Sequence, residues 1–200
     1  MSEEIDRIFY INLAKRTDRK EQIENELNRM CLTNYERYDA HRVEWFGAIG
    51  CSLSHLHVLS IARERGYKRI MILEDDFQFV VSREEFENNL RVFFDLKLNW
   101  EVCFLASNII QKHELANDKY NVDIVVNAQT TCGYIINSVL FNEFIDLLEF
   151  SINKLHHTGK HWVYAIDMIW KVFQTSKKWV VFKQTIGKQS DIRGNTGHNT

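Results

Sequence analysis

Three consecutive carboxylates, Glu74, Asp75 and Asp76, follow directly on the apolar run Ile70, Met71, Ile72 and Leu73. Acids at the end of a buried strand repel one another and are costly to strip of water. A hard divalent cation relieves both costs, and carboxylate oxygen is its natural ligand. Such a cation could grip a diphosphate and neutralise the charge that builds as it departs. Strand alternation places Glu74 and Asp76 on one side and Asp75 on the other. Asp76 is therefore the expected main metal ligand, with Glu74 acting on a ribose or a metal-bound water and Asp75 anchoring neighbouring backbone. The competing reading is an acidic turn that caps the next helix, because short acidic motifs are common.

Two further stretches carry polar chemistry. Asn12 closes the first apolar run, and its amide could read a nucleobase edge. Arg16 and Arg19 lie three residues apart and share a face in a helix, where they could pair with phosphate or with acids such as Asp18 and Asp39. A solvated first helical turn explains the same spacing. The stretch from Gly47 to His55 opens a helix with small residues, which let a ligand or backbone approach closely. Its glycine spacing matches no dinucleotide or P-loop fingerprint. His55 falls one turn after Cys51 and one before Leu59, facing inward, as a hydrogen-bonded core histidine or as a ligand.

These residues need elements to hold them. Residues 8–13 and 69–73 read as buried strands, and residues 35–40 as a further strand. Ile23, Leu27 and Met30 mark one helix. Residues 47–65 form another, with Gly66 as its stop. Ser82 and Glu85 make a capping box for a helix with the stripe Phe86, Leu90 and Phe93. Residues 102–106, 131–136 and 179–182 read as strands. Asn137 or Ser138 caps a helix carrying Leu140, Phe144 and Leu147, and residues 162–173 read as one apolar helix. Strands alternating with helices predict an α/β class with a mainly parallel sheet.

The 200 residues are enough for one domain with a real core, and 45% hydrophobic and 26% charged residues are ordinary for a globular chain. A net charge of -2 provides no general attraction to nucleic acid or anionic membrane, so any phosphate binding must be local. No stretch approaches a membrane span, and the acidic start lacks the apolar core of a secretory signal, so a cytoplasmic location is expected. The four cysteines form no CxxC pair and are expected as buried reduced thiols. The chain has no proline, so its turns fall to Gly, Asn, Asp and Ser.

Together the motifs resemble glycosyltransferase family 25, the lipooligosaccharide-type transferases related to procollagen galactosyltransferases. The matching stretches are Ile11-Asn12-Leu13 with Arg16 and Asp18-Arg19, the run from Gly47 to His55, and Leu73-Glu74-Asp75-Asp76. Then come Thr131-Cys132-Gly133-Tyr134, Asp167, and Gln189-Ser190-Asp191-Ile192, all in the family's order. The resemblance implies one GT-A-like domain over residues 1–200, its central sheet mainly parallel and flanked by helices; the polar composition of the tail from about 191 predicts that it is mobile. The resemblance further implies a UDP-sugar donor carrying a hexose such as galactose or glucose, Mn2+ or Mg2+, and inversion at the anomeric carbon. The acceptor would be a glycan, a lipooligosaccharide or a hydroxylated protein. On this view Asn12, Arg16, Arg19 and His55 border the donor, Glu74, Asp75 and Asp76 replace the family's DxD-like acids, and Gln189, Ser190 and Asp191 close the site.

The family often has proline where Ile186-Gly187-Lys188 stands here, and the span between the acids and Thr131 is compact. Asp167 sits among Trp162, Tyr164, Ile166, Met168 and Trp170, where an acid is expensive unless used or paired. It is the candidate carboxylate near the acceptor, with a Lys171 ion pair as the alternative. Trp162 or Tyr164 could stack on a sugar or simply pack. His198 could complete the metal shell or lie solvated in the tail. Two rival functions use the same acids: a metal-dependent nucleotidyltransferase, which would usually show a Gly-rich loop or Walker lysine, and a non-catalytic sugar-nucleotide or glycan-binding module.

Overall fold

The apolar runs are continuous because their strands are covered on both faces. In the computed structural model, which describes residues 4–117 and 119–190, these runs are β1 (Arg7–Asn12), β3 (Arg69–Glu74) and the buried parts of β5 (Val102–His113) and β6 (Val122–Asn137). Alternation sorts their side chains into two cores: Ile8, Tyr10, Met71 and Leu73 enter one, and Phe9, Ile11, Ile70 and Ile72 the other. The first core is closed by α1 (Thr17–Arg29) and α3 (Arg83–Asp95). The second is closed by α2 (Gly47–Glu64) and α4 (Phe141–Thr158).

With β2 (Tyr35–Asp39) and β7 (Trp179–Phe182), the sheet has the order β2-β1-β3-β6-β5-β7. β1 runs parallel to β2 and β3, β5 runs parallel to β7, and β6 is antiparallel to both β3 and β5. The class is α/β with a mainly parallel sheet. A small second sheet pairs β4 (Phe77–Phe79) with β8 (Gly187–Gln189). The chain leaves β1 through α1 to β2 on one flank, then crosses by α2 to β3 on the other. Since α1 and α2 cover opposite faces, the strand order reverses between β1 and β3, and a crevice opens beyond their carboxyl ends.

The Ser82–Glu85 capping box forms at the start of α3, with both reciprocal hydrogen bonds in place. Gly66 takes the left-handed conformation (φ 70) after α2, as a stop requires. Three expectations are corrected. The strands expected at 102–106 and 131–136 are only the buried ends of a longer hairpin, whose outer part is broken by register shifts and carries exposed polar residues. The helix expected over 162–173 is three short pieces, α5 (His161–Tyr164), α6 (Ile166–Ile169) and α7 (Lys171–Gln174). Ala165 is extended (ψ 150), the Tyr164 carbonyl accepts from Ser151 Oγ, and the break lets Ile166 and Trp170 reach the core while Trp162 stays outside. Lastly, Cys31 is exposed because it takes the left-handed position after α1, although all four cysteines are free thiols.

Candidate active site

The acids stand at this crevice. Asn12 at the end of β1 donates from Nδ2 to Asp75 Oδ2 at 2.8 Å, which ties the ends of the two strands together. Its other amide contacts are also internal: Nδ2 donates to the Arg16 carbonyl, and Oδ1 accepts from Arg37 Nε. Asn12 is 1% exposed, so its amide orients Asp75 and does not present an edge to a base. Arg19 donates to Asp75 Oδ1 at 2.9 Å and to Asp76 Oδ2 at 3.3 Å. Arg16 pairs with the exposed Asp18, while Asp39 is taken by Arg37.

Alternation fails after Glu74, because the strand ends there and Asp75 and Asp76 form the turn into β4. Asp76 comes to rest beside Cys132 and the α1 side, whereas Glu74 points to α2. Gln189 Nε2 donates to Asp76 Oδ2 at 3.0 Å, and the Ser190 amide donates to the Asp76 carbonyl at 2.7 Å. The β4–β8 pairing sets this clamp, and it depends on Phe77. The ring lies so close to Gly133 and Gly187 that a Cβ there would meet it at 2.5 and 2.3 Å. Asp191 and His198 lie outside the described residues.

Glu74 Oε1 accepts from Thr131 Oγ1 and lies 3.3 Å from His55 Nε2, and His55 Nδ1 lies 2.8 Å from the Tyr134 hydroxyl. His55 is thus buried on side-chain partners. Burial pushes the Glu74 carboxyl up, but His55, Thr131 and Arg19 outweigh it and hold it below the usual range. Asp76 goes the other way: burial and the Glu74 charge raise it despite Gln189 and Arg19. Burial, with Glu74 and Asp167 in support, raises the Cys51 thiol far above its ordinary value, so it stays protonated. Among the described residues, the trio whose ligand-type atoms lie within 4.8 Å of one another is Cys51, His55 and Glu74, not the three consecutive acids. Arg19 bridges Asp75 and Asp76, whereas Glu74 is held by His55 and Thr131. Burial and the neighbouring Glu74 charge leave Asp76 raised. Oxygen donors with excess negative charge suit Mg2+ or Mn2+.

A cleft of about 270 Å³ opens here, lined by Glu74 and Asp75, by Arg16 and Arg19, and by His41 and Arg42 after β2. Asp76 is not among the lining residues. Gly50 is required at the wall, because a Cβ would come within 2.4 Å of the His41 carbonyl. The Asp167 side chain has no hydrogen-bond or ion-pair partner among the described residues, so the alternative Lys171 pair does not form. It lies close enough to Cys51 to raise that thiol. Sequence reasoning missed Arg37, His41, Arg42 and the hydroxyl of Thr131. Only Thr131 had a signal, in the Thr131-Cys132-Gly133-Tyr134 stretch. Thr130 before it has φ 78, a left-handed conformation that costs a β-branched residue of order 1–3 kcal/mol and that nothing in the local sequence announces.

The architecture is that of GT-A-like transferases. A crystal structure titled as a glycosyltransferase involved in the glycosylation of the major capsid of PBCV-1 superposes with a TM-score of 0.51 over 94% of this chain and 93% of that one, at 8% identity. That likeness concerns the fold alone. The sequence goes further: residues 45–170 match the model of glycosyltransferase family 25 (LPS biosynthesis protein), and the chain belongs to that family. Procollagen galactosyltransferase 2 of Homo sapiens is 27% identical over 165 residues, covering 66% of this chain and 26% of the relative. A glycosyltransferase 25 family member of Drosophila melanogaster is 31% identical over 101 residues, covering 38% of this chain and 16% of the relative. The chain thus spans about a quarter or less of the length of these two relatives. No helix among the described residues is long and apolar enough to cross a membrane.

Proposed function

We propose that this chain transfers a hexose, galactose or glucose, from a UDP-sugar to a hydroxyl of a glycan or glycoconjugate, with a divalent metal and inversion at the anomeric carbon. Lipooligosaccharide and hydroxylated protein are the acceptor classes that the family suggests. The observation that carries the reading is the Asn12–Asp75 bridge at the point where strand order reverses, since open α/β sheets bind ligands there. The nucleotide sugar occupies the cleft beside Arg16, Arg19, His41 and Arg42.

Asp76 would hold Mn2+ or Mg2+, with the Glu74 charge nearby, and the ion when bound would supply charge neutralisation for the departing diphosphate. Asn12 and Arg19 fix Asp75, the clamp of Gln189 and Ser190 fixes Asp76, and His55 and Thr131 fix Glu74. Asp167 takes the proton of the acceptor hydroxyl. The acceptor oxygen then bonds to the anomeric carbon as its bond to the UDP oxygen breaks, and a single displacement of this kind inverts the centre.

The test is release of UDP from UDP-galactose and UDP-glucose with Mn2+, with and without glycan acceptors. Turnover is expected, and EDTA and Asp76→Ala abolish it. Full activity in Asp76→Ala removes the metal assignment, and release of pyrophosphate instead of UDP makes the protein a nucleotidyltransferase. UDP-sugar binding with no turnover under any condition makes it a binding module.

A further inference from the structure

The first loop residues before α2 and the first turn of α5 together expose a strip of rings. Trp45 is 65% exposed and Trp162 59%, large values for the largest apolar side chain. Trp45 stacks on Phe46 at 5.8 Å, Phe46 meets His161 edge-on at 6.2 Å, and His161 meets Trp162 edge-on at 5.2 Å. His156 from the end of α4 closes on Trp45 at 5.7 Å. Five rings from three elements are therefore contiguous, and the two largest leave most of their surface in water.

Position says what such a strip is for. Through Phe46 it adjoins Gly47, which lines the cleft proposed for the donor. At one end it sits on α5, which packs against α6, the piece that carries Asp167. A molecule lying on the rings is thereby led from solvent to the gap between the cleft and the proposed base. The ring chemistry selects the occupant. A pyranose presents an apolar face of C–H bonds that packs flat on an aromatic ring, and its equatorial hydroxyls reach outward to donors at the ring edges. Imidazole and indole N–H groups set among ring faces offer both surfaces, and exposed rings bordered by polar groups mark binding grooves.

We propose that Trp45, Phe46, His161 and Trp162 form the platform on which the acceptor glycan lies. The proposal rests on the glycosyl-transfer reading and extends it to the acceptor side. The probes are the neutral oligosaccharides lactose, cellobiose and maltotetraose, followed by saturation-transfer NMR on the whole chain. At least one is expected to receive saturation on its ring C–H protons, and its affinity falls roughly five- to tenfold in Trp45→Ala and in Trp162→Ala. Thermal melts of the same samples report the fold, and UDP affinity by calorimetry reports the donor cleft separately. No saturation of any probe by the wild-type chain, or unchanged affinity in both folded variants, overturns the platform. A concentration-dependent dimer that Trp45→Ala dissolves also overturns it, by assigning the strip to a second copy of the chain. Failure of the wild-type chain to bind UDP sinks the transfer reading instead, whatever the strip does.

Discussion

The acid corner and the aromatic ledge are built on opposite principles. At the corner, charged groups are tied to several internal partners: Asp75 to Asn12 and Arg19, Asp76 to Arg19 and Gln189, Glu74 to His55 and Thr131. On the ledge, Trp45 and Trp162 stand open, and Asp167 beyond them has no partner among the described residues. The difference teaches that the corner has its partners already in place, while the ledge is left open to solvent. A corner held this way resists reorganisation as charge develops, which is where electrostatic catalysis has its largest effect. Open rings tolerate varied glycans because each offers a face and few fixed directions.

The contrast can be broken most severely at Asp76. Asp76→Asn is expected to lower transfer by about a thousandfold and to raise Tm by about 1–3 °C, because the replaced carboxylate is costly when ionised. The sign follows from its raised folded-state value: the protonated form favours the folded state, so the stability it contributes is present at acid pH and lost as pH rises. Metal-dependent activity runs the opposite way. Protons compete with the ion for Asp76, so Mn2+ affinity should fall as pH drops, and this acid limb should be absent in Asp76→Asn. A lower Tm in that variant would show that Arg19 and Gln189 more than compensate the charge.

Asp167→Asn should reduce kcat by about a hundred- to ten-thousandfold with UDP affinity intact, as expected of a base outside the donor cleft. Equal loss of UDP affinity would place Asp167 with the corner. Gly187→Ala should cost about 1–3 kcal/mol, read as a Tm drop of about 2–10 °C, since the new methyl meets the Phe77 ring and the Gln78 carbonyl. It should also weaken metal-dependent UDP binding by loosening Gln189. The smallest effect is expected at Thr130→Gly, with Tm within about 2 °C of wild type: glycine relieves the left-handed strain while adding disorder to the unfolded chain. A large loss there would mean that the threonine side chain itself supports the corner.

Much of this scaffold was legible because burial on two faces writes itself as uninterrupted apolar runs. β1 and β3 were read within a residue of their ends, and the Ser82–Glu85 box marked α3 unambiguously. The acids stand out in the sequence for the same reason, since they interrupt such a run. Their orientation was not, because alternation holds only while the chain stays extended, and the strand ends at Glu74. The three-piece segment after α4 was misread because Trp162 and Trp170 look alike as letters, yet one is solvent-facing and the other wholly enclosed. Arg37, His41 and Arg42 were missed because their importance comes from β2 lying beside β1, a neighbourhood that no local pattern encodes.

The wedge of Phe77 between Gly133 and Gly187 also has a bearing on biosynthesis. Every strand of the large sheet is available once residue 182 has emerged from the ribosome, yet Asp76 gains its Gln189 and Ser190 contacts only after residue 190. A nascent chain can therefore assemble its frame while its acid corner is still unlatched, and the Asp76 clamp closes as a separate, later step.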